Sequence, residues 1–488
     1  MPVLALALLA QLSVAPRPVE PVLSFPDAGL DDTTAYRGYQ TRFYRDAARN
    51  TLQVYVDRRS ARVVYLFADA DNASVGFTAR DGAGAVAPLA WGSTPATVAR
   101  TGRTRRFTHQ LTTPIRTLHL GWFLLGSMRV ERDFQFVEKA RDGFGNAPYV
   151  LPDIEAMFAA LDRLPPAVRL RHLARLHARN VMQVRARMYP APILRRDGGA
   201  WVARVRQVTL DARDTLTLEL RVPASMAQAS VAGDSLTLRA TGSAPLTFEV
   251  TVSTTAPVLT PLTREQIFTS DFLTFLARTT ARGAAAAATD TAAIRARRME
   301  RQVRGVELLV SREKLMAGLP TYATYFGRDM LMTALMMRPI WRHETMEAVI
   351  ATALRKLAPG GDVSHEEALG EQAARESASE YAALVTAALQ STGRNRDSLL
   401  ARADTVVRDL RRVRENYHMI DDEYQLPIVV ARWITDPAVP VAAKRAFLLD
   451  RTDGKGSRAE RQIPSCRAAS SFMISSAPPP IIITLTSR

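Results

Sequence analysis

Hydrophobic and polar residues alternate along the N-terminal half of the chain, then fall at three- and four-residue steps along the C-terminal half. Leu52-Gln-Val-Tyr-Val56 and Arg62-Val-Val-Tyr-Leu-Phe67 read as strands. Asp69-Ala-Asp-Asn72 and Arg80-Asp-Gly-Ala-Gly84 read as the turns between such strands. Residues 117–136 add strand material, and the whole suggests a β-sandwich.

The period lengthens after residue 152. Ile154, Met157, Phe158 and Leu161 lie at helical spacing, Pro165-Pro166 interrupts, and Val168, Leu170, Leu173 and Leu176 resume it. This predicts a helical insertion over 151–179, with Arg169, Arg171, Arg175 and Arg179 as a solvated basic face. Strand patterns return over 181–252, most cleanly at 201–208, 215–220 and 246–252. Residues 256–261 read as a linker.

Three helical faces follow. They are Met299, Val303, Val306 and Val310; then Met346, Val349, Ile350, Ala353, Leu354 and Leu357; then Leu399, Ala403, Val406, Leu410 and Val413. Roughly five helices fit between 292 and 449 by this spacing. After 449 no helical period survives, and Ser- and Pro-rich sequence makes an irregular tail over 451–488. Out-of-frame translation or a premature end would explain that tail as well as disorder would. The expected organisation is a signal peptide over 1–19, a β-sandwich domain over 20–255, and a linker with a first helix over 256–291. A helical domain over 292–450 and the tail complete it.

The signal peptide rests on the short apolar run 2–10 followed by Ser13-Val14-Ala15, a small-x-small cleavage pattern, although a basic leader is missing. It implies export, periplasmic or secreted, and no membrane span in the mature chain. The formal net charge of +16 raises nucleic acid as a partner. The charge is nearly all Arg, however, and is scattered without a basic block interleaved with aromatics, so no nucleic-acid partner is expected. One cysteine, Cys466, excludes an internal disulfide. No cofactor is indicated, and no metal either, because His365 lacks a second His at ligand spacing.

Three segments carry candidate chemistry, each placed just before a helix. The first is Gly318-Leu-Pro-Thr-Tyr-Ala-Thr-Tyr-Phe-Gly-Arg-Asp-Met330. Tyr325 and Phe326 can stack on or wall a sugar ring, Arg328 and Asp329 can hydrogen-bond its hydroxyls, and Gly327 would allow a sharp turn. Asp329 could equally be a helix N-cap, and the two aromatics core. The second is Gly360-Gly-Asp-Val-Ser-His-Glu-Glu-Ala-Leu-Gly-Glu371, in which His365, Glu366 and Glu367 could act as acid, base or sugar ligands. Ser364 with Glu367 also fits a capping box. The third is Tyr417-His-Met-Ile-Asp-Asp-Glu-Tyr424, with Asp421 and Asp422 before another helix, where capping is the plainer role. Three acidic loops converging on one rim are harder to explain as caps alone.

Residues 319–329 resemble the segment that opens the second toroid helix of bacterial glycogen-debranching (amylo-α-1,6-glucosidase-like) proteins, members of the six-hairpin glycosidase superfamily. Gly361-Asp-Val-Ser-His-Glu366 resembles their Gly-x-Ile-Pro-His-Glu loop, and residues 420–427 a divergent form of their Val-Asp-Ala-Thr-Pro-Leu segment. The resemblance implies a multidomain protein of α and β class, an N-terminal β-sandwich followed by an incomplete α/α (six-hairpin) toroid. The family's ring has twelve helices, its general acid and base would fall in or beyond the tail, and the stretch between His365 and Asp421 is an insertion. By the resemblance, Arg328 and Asp329 hold the non-reducing sugar, with Tyr325, Phe326, His365 and Asp421 beside them. Glu366 and Asp422 are the candidate catalytic carboxylates, which an inverting enzyme keeps about 6.5–9.5 Å apart. The expected function is that of a glycoside hydrolase-like protein acting on an α-glucan or related oligosaccharide or polysaccharide. A catalytically dead sugar-binding fragment is the alternative.

Overall fold

The computed structural model describes residues 13–36, 38–57, 61–125, 151–233, 235–319 and 322–450, and the statements below concern these. Residues 126–136 of the expected strand material, the start of the expected signal and the whole tail lie outside them. Ser13–Val19, at the end of the expected signal segment, form a strand paired with Ala96–Thr101.

Two antiparallel sheets fill the N-terminal region. One runs Ser13–Val19, Ala96–Thr101, Thr104–Thr113, Leu246–Thr254, Thr215–Pro223, Ala200–Val208, Ile193–Asp197, with Ala90–Trp91 beside Thr104–Thr113. The other runs Ala227–Ala232, Ser235–Ala240, Thr117–Leu125, Ser74–Asp81, Arg62–Ala68, Thr51–Asp57, Tyr39–Arg45, Leu23–Phe25. Period-2 alternation decides which side chains meet. Leu216, Leu218 and Leu220 of one sheet share a single core with Val63, Tyr65, Phe67 and Phe77 of the other.

Twelve helices are described. They are α1 Pro152–Arg163, α2 Pro166–Arg175, α3 Val181–Met188, α4 Arg264–Ile267, α5 Ser270–Ala284, α6 Thr291–Leu309, α7 Gly327–Met337, α8 His343–Arg355, α9 Gly370–Leu389, α10 Gly393–Arg408, α11 Asp421–Ile434 and α12 Val441–Leu449. Among the described residues no helix is long and apolar enough to cross a membrane.

The chain forms two compact units. The first comprises residues up to 259 together with 319–323 and 369–413. Its α9 and α10 therefore belong with α1–α3, not with the helices that flank them in sequence. His172 Nδ1 lies 2.7 Å from the Tyr381 hydroxyl, and Arg375 pairs with Asp153 at 3.0 Å. Just beyond α10, the Arg411 guanidinium spans three carboxylates: Asp71 (2.5 Å), Asp211 (2.8 Å) and Asp214 (2.7 Å). A planar fork with five donors suits such multiple pairing.

Several sequence expectations are corrected in this unit. Residues 181–188 are helical and not strand: Val181, Val184 and Met188 are buried at helical spacing, and Asn180 caps the turn by accepting from the Gln183 N–H. Leu170 is exposed, not buried with Leu173 and Leu176. Ala403 and Leu410 of the expected α10 face are buried, but Leu400 and Val407 take the places expected of Leu399 and Val406, and Val413 is exposed. Arg175 is not simply solvated, because it pairs with Asp404 at 3.3 Å.

The second unit comprises 260–318, 324–368 and 414 onward, with α4–α8, α11 and α12. Its core joins Phe268, Leu331, Ile350, Leu354, Leu426, Val429 and Trp433. The α8 face expected from Met346, Val349, Ile350, Ala353 and Leu354 is buried as a set. Seven helices, not about five, begin between residues 291 and 441. The period missed α9 because the N-terminal part of its buried face is Gly370, Glu371, Gln372, Ala373, Ala374, Ser377 and Ala378, which carries little hydrophobic contrast before Tyr381, Leu384 and Val385.

Candidate functional site

The second unit brings the three sequence segments together. Glu366–Ala368 form a short strand paired with Arg414–Asn416, so Glu366 lies opposite Asn416. The expected loop at 365–367 is thus partly strand. The capping box is not formed either: the Ser364 hydroxyl donates to the Glu366 carbonyl, and the next helix opens at Gly370.

The first segment is tied to the second through backbone. The Gly327 N–H donates to the His365 carbonyl at 2.7 Å, and the His365 N–H donates to the Asn416 carbonyl at 2.8 Å. Gly327 is needed here for closeness, not for a sharp turn. A Cβ on it would stand 2.4 Å from Asp422 Oδ1 and 2.4 Å from the Ser364 carbonyl oxygen. Asp329 is the third residue of α7, whose N-cap is Phe326, so it is not a cap. Asp421 and Asp422 likewise open α11 from inside its first turn, after Ile420. Both positions suit carboxylates, which meet the positive end of the helix dipole.

At the surface of this cluster, Arg328 Nη1 pairs with Asp421 Oδ2 at 3.2 Å, and both side chains are partly exposed. The His365 ring sits edge-on to Phe326 (5.6 Å, 88°) and to exposed His418 (5.2 Å, 67°). His365 Nδ1 lies 2.9 Å from Asp422 Oδ2. Asp422 is fully buried, and burial first of all pushes its carboxyl up to about 6, against the opposing hydrogen bond from His365. Neighbouring Glu423 accepts from the Val363 N–H at 3.0 Å and is also raised by burial. Glu366 accepts from the Asn416 side-chain amide at 2.8 Å.

Tyr325 does not face this surface. Its ring is fully buried, its hydroxyl donates to the Ser364 carbonyl at 2.9 Å, and Lys356 lies over the ring at 5.1 Å. Burial holds its hydroxyl far above the usual phenol range. Below it, Glu367 joins Lys314 (3.4 Å) and Lys356 and accepts from the Tyr325 N–H. Burial alone would raise Glu367, yet the two lysines outweigh it and hold the carboxyl at about 2.

Phe326, Arg328, His365 and Asp421 are therefore gathered at one place, and Asp422 stands behind them. His418 was missed as a site residue, and Glu367, a candidate acid, base or sugar ligand by sequence, is instead buried against two lysines. His418 lies inside the third segment, but nothing in spacing shows that it meets His365. Glu367 fits a helix cap by spacing, but the fold places it between Lys314, 53 residues away, and Lys356, 11 residues away. Among the described residues, no group of three or more His, Cys, Asp or Glu side chains is arranged to hold a metal ion.

No family model matches the chain, and no curated protein matches it. Among solved structures it is similar to a "Putative kojibiose phosphorylase from human microbiome", at 8% identity and a TM-score of 0.22. That match covers 93% of this chain and 64% of the neighbour, so the chain spans less than two thirds of that protein's length. A TM-score this low establishes neither a shared fold nor a shared activity.

Proposed function

We propose that the second unit binds a glycoside at the rim formed by Phe326, Arg328, Asp329, His365 and Asp421. The chain would then be a glycoside hydrolase-like protein that holds the non-reducing end of an α-glucan or related sugar. One observation carries this proposal: the partly exposed Arg328–Asp421 pair lies on the helix turns that also carry Phe326 and meet His365. A planar donor, a carboxylate and an aromatic side chain on one surface suit a sugar's hydroxyls and its apolar ring face.

Binding without turnover is the reading the carboxylates favour. Asp422 is fully buried and bound to His365, and Glu366 is engaged by Asn416. Asp422 is thus withdrawn from the surface, and Glu366 is held at one oxygen by Asn416.

The test is calorimetric titration with maltose, isomaltose and trehalose, alongside hydrolysis assays of the same sugars. Binding that weakens in Arg328→Ala and Phe326→Ala supports the rim. Binding that is unchanged in Asp329→Asn removes Asp329 from the pocket. No heat from any of the three sugars sinks the assignment.

A further inference from the structure

His365 and Asp422 form a pair whose geometry goes beyond packing. The backbone of His365 is pinned on both sides, by the Gly327 N–H at its carbonyl and by the Asn416 carbonyl at its N–H. Its ring is wedged edge-on between Phe326 and His418. Asp422 is pinned as well: it is fully buried, and its second oxygen, Oδ1, packs against Gly327 where any side chain would collide. The imidazole therefore has one fixed orientation, with Nδ1 towards the carboxylate.

We infer that Asp422 is a positioning residue that keeps the His365 proton on Nδ1, so that Nε2 accepts a hydrogen bond from a substrate hydroxyl. The inference rests on the glycoside rim proposed above and names the group that reads one of the sugar's hydroxyls. A carboxylate accepts only, so Nδ1 must donate to it, and the neutral ring then offers its lone pair at Nε2. An imidazole held by a buried carboxylate in this manner is fixed in tautomer as well as in position. Phe326, on the ring's flank, supplies the apolar surface that a sugar ring presents next to its hydroxyls.

Other titratable groups surround the pair. Asp421 and Glu423 share the first turn of α11, His418 meets the ring edge, and the buried Tyr325 hydroxyl faces Asp422. Arg328 compensates Asp421. Burial raises the Asp422 carboxyl to about 6, so it is ionised at neutral pH and accepts from Nδ1 there.

The experiment is nitrogen-15 NMR of the full chain labelled at histidine, with and without maltose, isomaltose and trehalose, beside calorimetry of the same samples. Near neutral pH, His365 is expected as the Nδ1–H tautomer. Its Nε2 signal should move when sugar binds, and Asp422→Asn should mix the tautomers and weaken binding about tenfold, the scale of one hydrogen bond. If Asp422→Asn does not fold, His365→Gln, which keeps a polar group near the Nε2 position, serves instead and should retain more affinity than His365→Ala. An Nε2–H tautomer in the wild type overturns the inference. An Nε2 signal that stays still while calorimetry shows sugar bound overturns it too, and leaves the glycoside rim standing. No heat with any sugar overturns the rim and this inference together.

Discussion

His365 Nδ1 and Asp422 Oδ2 stand 2.9 Å apart although 57 residues separate them in the chain. The contact joins an imidazole whose backbone is hydrogen-bonded on both sides to a fully buried carboxylate that packs against Gly327. It makes the second and third sequence segments one structural object.

Gly327 holds that object to α7. Gly327→Ala is expected to destabilise the protein by about 1–3 kcal/mol, because a new methyl would press on the Ser364 carbonyl and Asp422 and force backbone to move. Thermal unfolding measures this. An unchanged melting temperature would mean that the two segments are not in contact as described.

Glu367 is expected to matter for stability and not for sugar. Removing it by Glu367→Ala takes from buried Lys314 the carboxylate at 3.4 Å and from Lys356 its closest one, at a cost of about 3–5 kcal/mol. Its carboxyl is depressed to about 2, so it stabilises the fold above the ordinary carboxylate range. That contribution is lost as pH falls from about 4.5 towards 2. Denaturant titrations at pH 6 and pH 3 should converge for wild type and Glu367→Gln on the acid side. A gap between them that does not narrow would contradict the ion cluster.

Glu371 should make the first unit sensitive to base. It is buried in the Arg411 cluster, and burial raises it to about 8 despite the opposing Arg411 charge, with Asp211 and Asp71 adding to the rise. The folded state therefore holds a proton there that the unfolded chain releases near 4.5. Stability falls with rising pH through this window, by about 1.4 kcal/mol per unit at most, and levels off above about 8. Glu371→Gln, which cannot ionise, should flatten the slope between pH 5 and 8. An equally steep slope in the variant would place the titration elsewhere.

Much of the fold could be read from local pattern. Alternation at 215–220 and 246–252 predicts strands whose Leu216, Leu218, Val250 and Val252 are all buried. The α8 face was legible for the same reason, since large aliphatic residues recur at helical steps. Helix α9 was not, because alanine buries well but contrasts poorly with polar neighbours.

The sequence alone determined most of the β and helical stretches, though not α3 or α9, and it singled out three chemically dense segments around residues 325, 365 and 421. Those properties depend on neighbours within a few residues. Only the tertiary structure decided what each of those side chains does. It set Tyr325 and Glu367 into the interior and paired Asp422 with His365. It also brought His418 to the imidazole and turned Gly327 from a supposed turn into a point of close approach. The reason is physical: burial, charge pairing and steric room are set by residues far apart in the chain, and no spacing rule carries that information.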